Sequence, residues 1–164
     1  MVLLLIFSLA SCGGKKDDDG EKNVGIDDSI IYNGQRVELG ADAKELIPKL
    51  GSYSDVVGKA CPGGIDSLKY MFSGLNITVY RDNAKKTETV ERIEILNDSY
   101  TTEKGITIGS TRDEVIKAYG NNYVEGYAGV LGYNGENSAI RFHFGASDNV
   151  SNIYIERELS ITNS

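Results

Sequence analysis

The stretch VELGADAKELIPKLG, at Val37–Gly51, matches the stretch ITIGSTRDEVIKAYG, at Ile106–Gly120, in chemistry at each position. Each copy opens with a short apolar–polar–apolar strand that ends at a glycine. Asp42 or Thr111 follows as the predicted N-cap of a helix, with a glutamate three residues later to close a capping box. The match therefore predicts the same strand-to-helix turn twice in one chain.

Both copies continue as a short amphipathic helix. The apolar positions fall at i, i+1 and i+4, which is one helix face; they are Leu46, Ile47 and Leu50 in the first copy and Val115, Ile116 and Tyr119 in the second. Gly51 and Gly120 stand where a left-handed residue ends a helix. Pro48 removes an amide donor and crowds the preceding turn, so we expect the first helix to be shorter or more distorted.

Alternating apolar and polar runs predict three strands after each helix. These runs are Leu68–Phe72, Leu75–Tyr80 and Val90–Leu96 after the first helix, and Val130–Tyr133, Ala139–Phe144 and Val150–Ile155 after the second. Asn33-Gly34 predicts a further hairpin within Ile30–Val37. The expected fold is α+β: two helix-plus-antiparallel-meander repeats packed side by side into one sheet, with the helices on one face. The first repeat, with its hairpin, spans residues 29–100, and the second spans 101–159.

The N-terminal segment resembles a lipoprotein signal. Leu9-Ala10-Ser11-Cys12 follows the apolar run Val2–Phe7, which is too short to span a bilayer but suits a signal h-region. Residues 1–11 are then a signal peptide, and Cys12 is the lipid attachment point that anchors the protein to the extracytoplasmic face of the cell membrane. A basic n-region is missing, since only the Met1 amino group is charged. Residues 12–28, Gly-rich and charged, read as a flexible tether.

Composition excludes several classes of function. A net charge of −7 argues against a nucleic-acid partner, because phosphate binding needs a basic footprint. Once Cys12 is acylated, Cys61 is the remaining cysteine, so no internal disulfide is expected. No cofactor is predicted.

The Gly-x-(Ser/Thr)-x-x-Glu-(Val/Leu) pattern before each meander, seen at Gly109–Val115, resembles the fold of the beta-lactamase inhibitor protein. The order of lipobox, Tyr-Asn-Gly hairpin, Gly-Ala-Asp-Ala helix start, Cys61 segment and Gly-Ser-Thr-Arg-Asp-Glu-Val helix start is similar to that of surface lipoproteins of Firmicutes. The resemblance covers roughly residues 1–156 and implies architecture and export, with no catalytic residues. It also implies an open sheet face that binds another protein.

Searching the sequence for chemistry finds no complete catalytic or metal-binding set. His143 is the single histidine, and a triad or a zinc site would need partners that no motif supplies. Cys61, in a segment predicted to be a loop, is either a reactive thiol beside Lys59 or, as we favour, a small apolar plug at the edge of the core. No catalysis is expected.

Strand alternation does place a set of interface-type residues on one sheet face. Tyr80, Arg92, Arg141, His143 and Tyr154 are expected to point away from the core, and Tyr and Arg anchor many protein interfaces. An ordinary solvated face is the alternative. The predicted function is a membrane-anchored, extracytoplasmic lipoprotein that binds a protein through this face. The alternatives are an envelope-assembly lipoprotein, and an enzyme or small-ligand receptor with a pocket near Cys61 and the segment Tyr123–Tyr133.

Overall fold

A tight hairpin opens the computed structural model, which describes residues 26–158. β1 (Ser29–Tyr32) pairs antiparallel with β2 (Gln35–Glu38). Asn33 and Gly34 join them with φ of 49° and 76°, and two left-handed residues in succession are what a type I′ turn requires. The predicted hairpin is confirmed, and it forms a two-stranded sheet of its own.

The remaining strands form one antiparallel sheet of eight strands in the order β3-β4-β5-β6-β10-β9-β8-β7. Its strands are β3 (Asp55–Cys61), β4 (Ile65–Phe72), β5 (Leu75–Asp82), β6 (Thr87–Ile95), β7 (Val124–Glu125), β8 (Leu131–Asn134), β9 (Ser138–Phe144) and β10 (Val150–Arg157). Each strand pairs with its sequence neighbour, except at the centre, where β6 pairs with β10. The α+β class is confirmed by this sheet and the short helices beside it.

Helix α1 (Ala43–Leu46) is only one turn long and passes into a 3₁₀ turn at Ile47–Lys49. Pro48 lies inside that turn, which is the distortion predicted for the first copy. Helix α2 (Arg112–Tyr119) has a complete capping box, in which the Thr111 hydroxyl accepts from Glu114 N–H and the Glu114 carboxylate accepts from Thr111 N–H. At α1 the Asp42 carboxylate accepts from Lys44 N–H at 2.9 Å.

The two turns that precede the helices make the same contacts with the sheet. Gly40 N–H donates to the Val90 carbonyl at 2.8 Å, and Val90 N–H donates to the Ala41 carbonyl at 3.0 Å. In the second copy Gly109 N–H donates to the Val150 carbonyl, and Val150 N–H donates to the Ser110 carbonyl, both at 2.8 Å. In β6 and in β10, a buried valine thus exchanges two backbone hydrogen bonds with the turn before a helix.

A β-bulge follows each of these valines. On β6, Glu91 has no partner on β5, because Val90 pairs with Val79 and Arg92 pairs with Thr78. On β10, Ser151 likewise has no partner on β9, because Val150 pairs with Phe144 and Asn152 pairs with His143. A bulge adds one residue and increases the local twist. Both central strands are therefore bent one residue after the valine that contacts a glycine turn.

The core lies on one face of the eight-stranded sheet. Strand residues that alternate inward, such as Ile77, Ile93 and Ile153, are fully buried there. The hairpin and both helices add side chains to the same apolar cluster, among them Val37, Ala43, Leu46, Val115 and Tyr119. Burial of each valine, leucine or isoleucine side chain among them contributes about 1.5–3 kcal/mol.

The structure corrects two details of the sequence interpretation. Four strands, rather than three, follow each helix, because β3 and β7 were not predicted. Cys61 is the last residue of β3 rather than part of a loop, and it is partly exposed. β3 is a mostly exposed edge strand, so it lacks the apolar alternation by which a half-buried strand is recognised.

Within residues 26–158, no helix is long and apolar enough to cross a membrane. Cys12 and the preceding signal-like segment lie outside the described residues, and so does most of the predicted tether.

Candidate binding face

The face of the eight-stranded sheet opposite the core is called here the open face. It carries Tyr80 of β5, Arg92 of β6, Arg141 and His143 of β9, and Tyr154 of β10. Their flanking residues, such as Ile77, Ile93, Ile140, Phe142, Ile153 and Ile155, are fully buried in the core. Strand alternation thus brings all five predicted site residues to one surface.

Three of the five residues line a single depression of about 370 Å³. Its walls are Ser67, Lys69, Thr78, Tyr80, Glu91, Arg92, Glu94, Tyr154, Glu156 and Arg157. Arg141 and His143 lie beside it, since Arg141 pairs with Tyr154 across β9 and β10, and His143 pairs with Asn152. The depression straddles the central β6–β10 pair.

Glu94 is the buried anchor of the depression, with 8% of its surface exposed. Its Oε2 accepts from Asn76 Nδ2 at 2.8 Å and from Lys69 Nζ at 2.7 Å, and its carboxylate also accepts from the Tyr154 hydroxyl. Burial alone favours the neutral acid, but the three donors together outweigh it and hold the pKa of Glu94 below its usual value. Glu94 is therefore an ionised carboxylate at neutral pH, and three side chains donate hydrogen bonds to it.

Glu156 bridges two arginines from neighbouring strands. Its Oε2 lies 2.6 Å from Arg92 Nη2, and its Oε1 lies 2.7 Å from Arg141 Nε. Because β10 lies between β6 and β9, this one carboxylate ties three strands together. Half of the Arg92 side chain is nevertheless exposed, at 49%, so its guanidinium still has donors directed to solvent.

A second acid on β6, Glu91, has its pKa shifted in the opposite direction to that of Glu94. It lies at the bulge and pairs with Arg157, with Oε1 and Nη1 3.0 Å apart. Burial raises the pKa of Glu91, and the attraction of Arg157 offsets this only in part. Glu91 is thus held in an environment that disfavours its charge.

An aromatic contact completes the open face. The rings of His143 and Tyr154 lie 4.8 Å apart at an interplanar angle of 60°, and the Arg92 guanidinium lies 5.7 Å from the centre of the Tyr154 ring. Burial lowers the pKa of His143 and, together with the hydrogen bond to Glu94, raises the pKa of Tyr154. Both side chains are therefore neutral at pH 7.

The charges around the depression balance. Its walls hold three cations, Lys69, Arg92 and Arg157, and three carboxylates, Glu91, Glu94 and Glu156, in a chain whose net charge is −7. The depression is therefore close to electrically neutral, whereas the rest of the protein carries the excess negative charge. It offers exposed cationic donors beside tyrosine rings, which suits a ligand rich in carbonyl and carboxylate acceptors.

The residues of the alternative pocket are not brought together. Cys61 ends the edge strand β3, whereas the segment Tyr123–Tyr133 holds β7 and most of β8 at the opposite edge of the sheet. Within the segment Tyr123–Tyr133, Tyr133 is buried while Tyr127 is 97% exposed. No group of three or more histidine, cysteine, aspartate or glutamate residues in the described part of the chain is arranged to hold a metal ion.

Lys69, Asn76 and Glu156 are components of the open face that the sequence analysis did not select. Strand alternation could have assigned their side of the sheet, since Asn76 lies four residues from Tyr80 on β5 and Glu156 lies two residues from Tyr154 on β10. Their pairing could not have been assigned, because it depends on the registers of β4 with β5, of β5 with β6, of β6 with β10 and of β10 with β9.

Comparison with known proteins adds little to this geometry. No protein-family model matches the chain, and no curated protein matches it. Among solved structures, the chain is similar to a cysteine-rich secretory protein from Staphylococcus aureus, with 14% identity and a TM-score of 0.44. The match covers 72% of this chain and 42% of the staphylococcal chain. This chain therefore spans less than half the length of the staphylococcal protein.

Proposed function

We propose that this protein is a membrane-anchored, extracytoplasmic lipoprotein that binds another protein through its open face. The observation that carries the proposal is the convergence of Tyr80, Arg92 and Tyr154 on one depression of a sheet face that no described element covers. Tyr and Arg combine large contact area with directed donors, and they dominate the energetics of many interfaces. No catalytic role is proposed.

The proposal includes a tandem organisation of the fold. The matching glycine-turn hydrogen bonds at Val90 and Val150, and the matching bulges after them, support two copies of one helix-plus-meander unit. If Val90 corresponds to Val150, then Glu94 corresponds to Tyr154, and these two residues pair with each other at the centre of the sheet. The open face is then built symmetrically from both units around the Glu94–Tyr154 contact.

Capture of a partner tests the binding proposal. The full-length chain serves as bait in an envelope extract, beside a Tyr80→Ser, Arg92→Ser variant and a matched Tyr127→Ser control. We expect the wild type and the Tyr127 control to retain the same protein, and the open-face variant to lose it. Equal retention by all three baits, or no specific protein on the wild type, would contradict the proposal.

The same baits separate the alternatives. A small-ligand receptor would retain a low-molecular-weight compound in a manner dependent on the open face but would retain no protein. An envelope-assembly lipoprotein would recover assembly components of the envelope.

Anchoring is tested separately. We expect mass spectrometry of membrane-fraction protein to find an acylated Cys12 as the first residue, and Cys12→Ser to move the protein out of that fraction. An unmodified Met1 terminus would remove the anchor from the proposal.

A further inference from the structure

The edge strand β3 is a second unpartnered feature, independent of the open-face proposal. Its seven residues pair with β4 on one side only, and five of them, including Val57 and Lys59, are exposed. Val57, the third residue of the strand, is a large apolar side chain at 54% exposure. The opposite edge of the sheet, β7, has only two residues. A long exposed edge presents unpaired backbone donors and acceptors to another strand.

The sequence of β3 is complementary to itself in one arrangement. Asp55, Val57 and Lys59 share a sheet face, because they lie opposite Met71, Lys69 and Ser67 of β4. If a second copy of β3 pairs antiparallel about Val57, Asp55 of each copy faces Lys59 of the other. Val57 then meets Val57 of the second copy between two opposite-charge pairs, which stabilise an antiparallel ladder.

Other arrangements lack this match. An in-register parallel pair would place Asp55 against Asp55 and Lys59 against Lys59, and like charges directly opposite destabilise a sheet. An antiparallel pair shifted by one residue, about Gly58, would place Val57 against Lys59 and Asp55 against Cys61. The charge pattern therefore selects both the direction and the register.

In a single copy of the chain, one backbone donor of β3 already has a local hydrogen-bond partner. The Asp55 carboxylate accepts from the N–H of Val56 at 2.7 Å, which satisfies one strand donor locally. On pairing, the backbone of the second copy takes over that donor and the carboxylate turns to Lys59. Lysine on an edge strand normally discourages association, but here an aspartate four residues away on the same strand supplies its partner.

We propose that β3 mediates a homodimer, in which two copies of this chain join their sheets antiparallel about Val57. The contact is one strand wide, so its area lies at the small end for specific interfaces. We therefore expect a reversible equilibrium that depends on protein concentration.

Disulfide trapping tests the register. In the full-length chain with Cys12→Ser and Cys61→Ser, Val57→Cys places two thiols at a directly opposed position, within disulfide reach. Lys59→Cys in the same background places them four residues apart along the strand, about 14 Å, which is out of reach. We expect mild oxidation to give a covalent dimer for Val57→Cys and none for Lys59→Cys. Equal trapping of both, or trapping of neither, would overturn the proposal.

A charge swap tests the pairing without cysteines. We expect sedimentation equilibrium to show that Lys59→Asp weakens dimerisation about tenfold, since two attractive pairs become repulsive. Asp55→Lys with Lys59→Asp should restore it, because the pairs re-form in reverse. These positions are exposed, so thermal unfolding should stay near that of the wild type. A protein that is monomeric at every concentration, or a dimer insensitive to the swap, would refute β3 pairing.

Discussion

Replacing Glu94 by glutamine should destabilise the protein through its donors rather than its packing. Asn76, Lys69 and Tyr154 all donate to the Glu94 carboxylate. Glutamine keeps the shape but has one acceptor oxygen, and its NH₂ group must face a donor. A hydrogen bond to a charged group contributes about 1.5–3 kcal/mol, and the acceptor is 8% exposed. We expect Glu94→Gln to cost about 1.5–3 kcal/mol of unfolding free energy.

Urea unfolding followed by circular dichroism measures this loss. With an m-value of roughly 2 kcal/mol/M for a domain of this size, the midpoint should fall by about 1 M without a change in slope. The matched control is Glu91→Gln on the same strand. Burial raises the pKa of Glu91, so its charge is disfavoured in the folded state and its removal should leave the midpoint unchanged or slightly higher.

The pH dependence gives the prediction a second check. The pKa of Glu94 is lowered in the folded protein, so its contribution is present above the unfolded-state value near 4.5 and is lost as the pH falls through the folded-state pKa. The gap between wild type and Glu94→Gln should therefore narrow on acidification. Equal midpoints for the two glutamine variants at pH 7, or a gap that persists in acid, would refute the reasoning.

Three further perturbations follow from the structure. Tyr119→Phe should cost about 1.5–3 kcal/mol in urea, because the Tyr119 hydroxyl donates to the buried Asp27 at 2.6 Å; an unchanged midpoint would contradict this. Gly40→Ala and Gly109→Ala, at φ of 82° and 93°, should each cost about 1–2 kcal/mol of unfolding free energy. At Gly126 a side chain meets only ordinary contacts, so Gly126→Ala is a nearly neutral control. Equal losses of unfolding free energy in all three variants would refute the strain argument. Burial lowers the pKa of His143, so stability should fall as the pH drops below the unfolded-state value of about 6.5. His143 is the single histidine, so His143→Gln should reduce the loss of stability below pH 6.5. An unchanged pH dependence in this variant would show that another group causes the loss.

Strand alternation predicted much of the fold because most strands here bury one face only. The runs around Ile77, Ile93 and Ile140 each place a large, fully buried apolar residue at every second position, and this pattern also fixes which side chains reach the open face. The strand β3 escaped detection because both of its faces are largely exposed. Its identity depends on pairing with β4, which local sequence does not encode.

The site could be predicted as a set of residues but not as a network. Tyr154 and Glu94 meet because β6 and β10 pair at a sequence separation of 60 residues in one particular register. Shifting that register by one residue would turn every side chain to the other face. Such a register follows from the packing of the whole core, so neither the Glu94 donors nor the Glu156 bridge could be derived from the sequence.

The proposed function requires that a partner protein covers the open face. Hydroxyl-radical footprinting of the full-length chain, alone and with its captured partner, measures this directly, because tyrosine and histidine side chains report their own exposure. We expect Tyr80, His143 and Tyr154 to become protected in the complex while Tyr127 reacts as before. Protection of Tyr127 with undiminished reaction at Tyr80 and Tyr154 would contradict it.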